Sequence, residues 1–167
     1  MSLWRYAGRA WRDPLVRAAC LDLQAAHGQC ISLLLWRMWA VAERRAVDAD
    51  GLERAVLAAR AWEGQVVGPL RAAREALGGR SPNPLTLIED RARATLRARV
   101  LADEIATEKA LLRALEPLAT AIGAPEDAKS ALIDVAARWG GAPPPPDRLN
   151  ALASFVSNRH KHAPTGG

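Results

Sequence analysis

The sequence predicts an all-α protein: a compact helical bundle around a central buried helix at about residues 30–45, with a long helix at about 85–121 and a C-terminal helical extension. Three observations predict it. Ile31 to Ala42 is apolar on every side except at Ser32 and Arg37, and a helix that is apolar all round must be enclosed by others. Elsewhere, apolar residues recur at helical spacing between capping signals. Few residues outside the apolar runs are β-branched, and no alternating run of strand length occurs.

Each element follows from its punctuation. Ser2 can cap a short first helix through Trp11. Asp13-Pro14 opens a second, because Asp accepts from the orphan N–H groups and Pro is pre-set for the first helical position. Leu15, Val16, Ala19, Cys20, Leu23 and Ala26 then recur on one face, and Gly28 after His27 is the left-handed cap that ends the helix. The buried helix runs to about Arg45, where Glu43, Arg44 and Arg45 return to solvent.

Asp48 or Asp50 starts the next helix, and Leu52, Val56, Ala59, Val66, Leu70, Ala73 and Leu77 keep its spacing. Gly64, Gly68 and Pro69 interrupt it; Pro69 lacks a donor and should kink the axis or break it in two. Gly78 to Pro84 is a loop by composition. The long helix from about Leu85 to Ala121 carries a stripe of Leu85, Ile88, Ala92 and Leu96 that shifts to Leu101, Ile105, Leu112, Leu115 and Ala119, so its two halves face different neighbours. Pro117 stops or bends it. Gly123 and Pro125 open a short helix ending by Trp139, Gly140 to Pro146 is a polyproline-type linker, and Asp147 caps a last helix through about Val156. The expected organisation is a bundle over 2–121, an extension over 122–157 containing the linker 140–146, and a disordered tail over 158–167.

A chain of 167 residues can bury one real core. Its excess of arginine gathers in the first 45 residues, where Arg5, Arg9, Arg12, Arg17, Arg37, Arg44 and Arg45 stand against Asp13, Asp22 and Glu43, within a net charge of +5. Blocks of like charge are absent, which argues against a nucleic-acid partner. Cys20 and Cys30 lie on apolar helix faces and read as small hydrophobes. Arg5, Arg9 and Arg12 interrupt any signal-peptide core, and Ile31–Ala42 is too short to cross a bilayer, so no membrane insertion and a cytoplasmic location are expected.

No metal or cofactor is expected. Cys20, His27 and Cys30 are ligand types, but they straddle a helix end without the paired spacing of a zinc site. No phosphate loop, nucleophile elbow or HExxH pair occurs. The informative polar residues stand where apolar ones belong. Arg37 lies inside the buried helix, Glu63 shares the stripe of Val56 and Val66, and Glu104 and Glu108 lie one helical turn apart and repel unless cations answer them. Arg71 and Arg74 are available cations. The sequence thus predicts an interhelical cluster of Arg37, Glu63, Arg71, Arg74, Glu104 and Glu108, serving either as a structural ion-pair network or as a ligand site. Trp4, Trp11, Trp36, Trp39 and Trp62 are expected to fill the core.

Trp4-Arg-Tyr6, Asp13-Pro14, Cys20-Leu-Asp-Leu-Gln24, His27-Gly28, Leu33-Leu-Leu-Trp36, Trp39, Trp62, Val66-Val67, Pro69-Leu70-Arg71 and Glu104-Ile-Ala-Thr-Glu108 follow in order. In these residues the chain resembles a family of small, all-helical proteobacterial proteins of unknown function, over roughly Leu3 to Glu116. The resemblance implies a helical fold and brings no activity, cofactor or partner. Where that family tends to Tyr-x-x-Pro-Gly-Val this chain has Trp11-Arg-Asp-Pro14-Leu-Val16, and Cys30-Ile-Ser32 stands in place of Asp-Val-Asn. The segment from about Ile122 lies outside the resemblance.

The leading functional expectation is a non-enzymatic cytoplasmic interaction or adaptor protein whose partner is another protein. It rests on the absence of a catalytic motif, the arginine-rich first third and the two-phase long helix. The alternatives are a small-molecule binding protein or atypical enzyme using the Arg/Glu cluster, and nucleic-acid binding through Arg5, Arg9, Arg12, Arg17, Arg44 and Arg45.

Overall fold

The structure, a computed structural model, describes residues 1–78, 88–120 and 122–161, with the side chains of 159–161 left aside. Among these the chain forms eight α-helices: α1 (Leu3–Ala10), α2 (Pro14–His27), α3 (Ile31–Ala42), α4 (Ala49–Trp62), α5 (Gly68–Gly78), α6 (Asp90–Leu115), α7 (Ala128–Trp139) and α8 (Pro146–Lys161). The fold is an all-α bundle. The loop expected to end at Pro84 and the long-helix start at Leu85 fall outside the described residues, as does the tail beyond Lys161.

Local chemistry sets the ends. Asp13 Oδ1 accepts from Leu15 and Val16 N–H at 2.9 and 3.1 Å, and Gly28 takes φ 61° to close α2. Asp48 caps α4 through Gly51 N–H, and Asp127 caps α7 through Ser130 N–H. Ser2 precedes α1 in extended backbone, but it caps without its hydroxyl; its carbonyl accepts from Tyr6 N–H instead.

Every residue from Ile31 to Val41 is buried. The reason is enclosure: α3 touches α1, α2, α4, α6, α7 and α8. The C-terminal helices join this core rather than trailing from it. Leu132, Val135, Leu149, Leu152 and Val156 are buried in one cluster with Leu3, Leu23 and Trp36, and the Phe155 ring meets Tyr6 edge-on at 6.0 Å. Residues 158–161, expected to be tail, complete α8. The Pro-rich segment is held at its start, where Gln29 Nε2 donates to Gly140 C=O, Trp139 Nε1 donates to Gly28 C=O, and Arg60 Nη2 donates to the carbonyls of Arg138 and Trp139. Gly140 and Gly141 turn with φ 86° and 90°, and a Cβ on Gly141 would lie 2.9 Å from His27 C=O.

Of the kink or break expected at Pro69, the break does not occur: the helical path continues through a π turn. The five residues Glu63–Val67 form a π turn that joins α4 to α5, with Gly68 N–H donating to Glu63 C=O. Proline carries no N–H, and its ring strikes the carbonyl four residues back in a regular helix. One wider turn absorbs that conflict. The long helix is shorter than expected, running Asp90–Leu115 before a 3-10 turn at Glu116–Leu118 that contains Pro117. Among the described residues no helix is long and apolar enough to cross a membrane.

Candidate functional site

The π turn delivers Glu63 to the side of α5, where Arg71 and Arg74 stand one turn apart facing α6. Arg71 binds Glu63 through Nη1, Glu104 through Nε at 3.2 Å, and approaches Glu108 with Nη2 at 3.8 Å. Arg74 Nε donates to the other oxygen of Glu104 at 2.6 Å. Glu104 is 5% exposed, so its charge requires both guanidiniums. Helix α5 packs extensively on α6 although none of its described residues is buried. The ion cluster spans this helix pair, whose α5 side is made of half-buried and exposed residues.

The structure brings Glu63, Arg71, Arg74, Glu104 and Glu108 together and leaves Arg37 out. Arg37, 3% exposed, ion-pairs through Nη2 with Glu126 in the loop before α7. Arg37 lies on the side of α3 that meets α7 and the loop before it, away from the cluster. Its Nε and Nη1 are buried without a hydrogen-bond partner among the described residues.

Burial alone would lower the Arg71 pKa, but the hydrogen bond and charge of Glu63, with Glu104 and Glu108, hold it above its ordinary value. Burial, then the neighbouring Glu104 charge, raises the Glu108 carboxyl, against the pull of Arg71. The Cys20 and Cys30 thiols are free, and burial pushes both up to about 12, so neither is a ready thiolate. Among the described residues no His, Cys, Asp and Glu grouping is placed to hold a metal ion.

Beside the cluster opens a groove of about 530 Å³. Trp4, Ala7 and Gly8 of α1 with Trp11 just past its end form one wall, Arg17, Leu21 and Gln24 of α2 another, and Ile31, Ser32 and Leu35 of α3 part of its base. Leu101, Glu104, Ile105, Glu108 and Leu112 of α6 form the far side, with Arg74 of α5. Trp4 and Trp11, expected in the core, are 37% and 38% exposed, whereas Trp36 and Trp39 are fully buried. Lys109 Nζ sits 4.9 Å from the Trp4 ring centroid. Sequence reasoning missed this groove, although the second apolar phase of the long helix, Leu101 and Ile105, was a legible sign of it.

Residues 2–115 match the family described as "Protein of unknown function (DUF2390)". The chain belongs to that family. No curated protein and no solved structure matches it. The DUF2390 match contains every groove residue and all five clustered charges. Glu126, α7 and α8 lie beyond the DUF2390 match, although they complete the core around α3.

Proposed function

We propose that the protein is a non-enzymatic interaction protein that docks a partner protein in the groove between α1, α2, α3 and α6. The observation that carries this reading is convergence. Trp4, Trp11, Leu21, Leu101 and Ile105 are exposed large apolar residues, and all five line this groove. Single exposed apolar residues need no explanation, whereas gathered ones mark interaction sites. The Arg71, Arg74 and Glu104 ion pairs act on this reading as a lock that sets α5 on α6 and shapes the charged end of the groove. The free, buried thiols of Cys20 and Cys30 suit a reducing, cytoplasmic setting.

A small-molecule ligand is the second reading, favoured by a volume within the range of ligand clefts. Of the arginines behind the nucleic-acid alternative, Arg12 donates back to Gly8 C=O from just past α1, Arg17 sits on the groove wall and Arg45 lies over the Trp39 ring. These three arginines thus sit in three different local settings.

Photo-crosslinking in the native cell tests the docking reading. A benzophenone side chain replaces Leu101 in the groove or, as a control, Leu57, which is exposed on α4. A protein adduct from position 101 alone is expected. Equal adducts from both positions, or none from 101, would overturn docking; an adduct of small mass from 101 would favour the second reading.

A further inference from the structure

Two properties of the groove restrict its occupant, and the inference drawn from them rests on the docking reading above. The first is charge. Glu63, Glu104 and Glu108 face only Arg71 and Arg74 within the cluster, so these five groups leave one negative charge unanswered. Glu104 takes both guanidiniums at close range and Glu63 takes Arg71 Nη1, while nothing in the cluster comes nearer to Glu108 than 3.8 Å. Glu108 is also the half-exposed carboxylate on the groove lining. Lys109, its neighbour in sequence, is turned onto Trp4, and Arg17 on the α2 wall makes no ion pair among the described residues. Glu108 is thus the least answered carboxylate of the groove, with Arg71 Nη2 alone at 3.8 Å, and Arg17 across from it is a cation open to an acidic group.

The second property is shape. Gly8 lies in α1 between Trp4 and Trp11 on the groove wall, with negative φ and nothing within 4 Å of where a Cβ would stand. Folding gives it no reason to be glycine, and glycine in a helix costs backbone entropy relative to alanine. A missing side chain on a binding wall instead lets another backbone approach closely. Opposite, Leu101, Ile105, Glu108 and Leu112 keep one face of α6, a span of roughly 16 Å at the helical rise of 1.5 Å per residue.

We propose that the groove seats an amphipathic helix of about three turns from a partner protein. Its apolar face lies on Trp4, Leu101 and Ile105, its backbone passes closest at Gly8, and a Lys or Arg at the edge of that face pairs with Glu108. Charge selects the partner's face and the bare wall sets its depth.

A displayed library of random peptides of about 14 residues, enough for three to four turns, tests this against the full chain, the Gly8→Leu variant and the Glu108→Gln variant. Enrichment of helix-patterned sequences with a basic residue at a fixed position from the apolar ones is expected. Gly8→Leu, whose Cβ meets open space and whose thermal midpoint should be equal to or slightly above that of the unmodified chain, should abolish capture. Glu108→Gln should weaken the selected peptides about fivefold, as for loss of a partly exposed ion pair, and select neutral residues in place of basic ones. No enrichment on the unmodified chain, or enrichment indifferent to Gly8→Leu, would overturn docking in the groove itself. Enrichment blocked by Gly8→Leu, but without a basic preference or without helical patterning, leaves the groove standing and overturns this partner assignment.

Discussion

Arg37, buried in the middle of α3, ion-pairs with Glu126, 89 residues further along the chain in the loop that leads into α7. The cation belongs to the family-matched region and its counter-ion does not. Glu126→Gln should therefore destabilise the fold by about 1–3 kcal/mol, since a buried charge loses its partner while the 40% exposed partner site admits some water. Joining it with Arg37→Met should recover most of that loss, because replacing a buried pair with an apolar group is close to neutral. Urea unfolding of the unmodified chain and the two variants measures both steps; equal stabilities throughout would show that the pair contributes nothing.

Glu104 is the buried carboxylate between two guanidiniums. Glu104→Gln should lower the opening free energy of α5 by about 1–3 kcal/mol. The global midpoint should move less, because no described residue of α5 is buried. Amide exchange across 68–78 is the readout, and unchanged protection there would refute the lock.

The two glycines Gly8 and Gly68 should respond in opposite directions. Gly8→Ala meets open space, so stability should rise by about 0.5 kcal/mol. A Cβ on Gly68 would stand 2.8 Å from the Glu63 carbonyl oxygen, backbone that cannot move aside within the π turn. Gly68→Ala should lose about 1–3 kcal/mol, read by thermal unfolding followed by circular dichroism.

Glu108 should give an unusual pH dependence. Its folded pKa lies above the ordinary value of 4.5, because burial and Glu104 disfavour its charge. At neutral pH the ionised carboxyl thus works against the fold, and this penalty fades as the pH falls through the folded value toward 4.5. Glu108→Gln should stabilise the protein at pH 7 and bring no benefit below pH 4.5. Asp127 contributes in the opposite sense: Ser130 holds its pKa down, and its contribution is lost in acid.

A chain ending at Ala121 should fail to unfold cooperatively. It lacks Leu132, Val135, Leu152 and Val156, which are at most 1% exposed in the core, and it uncovers the faces of α2 and α3 that α7 and α8 cover. Retention of near-UV circular dichroism and a sharp urea transition would contradict this expectation.

Much of the architecture was legible because its causes are local. The Asp13-Pro14 start and the Gly28 stop each depend on a few adjacent residues, as does the start of the central helix, which ends at Ala42 rather than near Arg45. The grouping of Glu63, Arg71, Arg74, Glu104 and Glu108 was legible because charges at helical spacing on apolar stripes must meet opposite charges across a helix interface. Arg37's partner was not, since no periodicity places the loop carrying Glu126 against α3. Nor did apolarity alone tell Trp36 from Trp4: helix α3 is enclosed on all sides, whereas α1 turns one flank to the groove. Pro69 signalled a disturbance, but nothing in the local sequence distinguished a π turn over Glu63–Val67 from a kink.

The unequal placement of the tryptophans makes this molecule its own two-channel reporter. Trp36 and Trp39 are sealed in the core, while Trp4 and Trp11 look into the groove. Indole emission from the first pair should shift only when the chain unfolds. Emission from the second pair should blue-shift and resist aqueous quenchers once the groove is filled. With Trp62 and Trp139 replaced by phenylalanine, one spectrum would therefore separate occupancy from unfolding without an added dye.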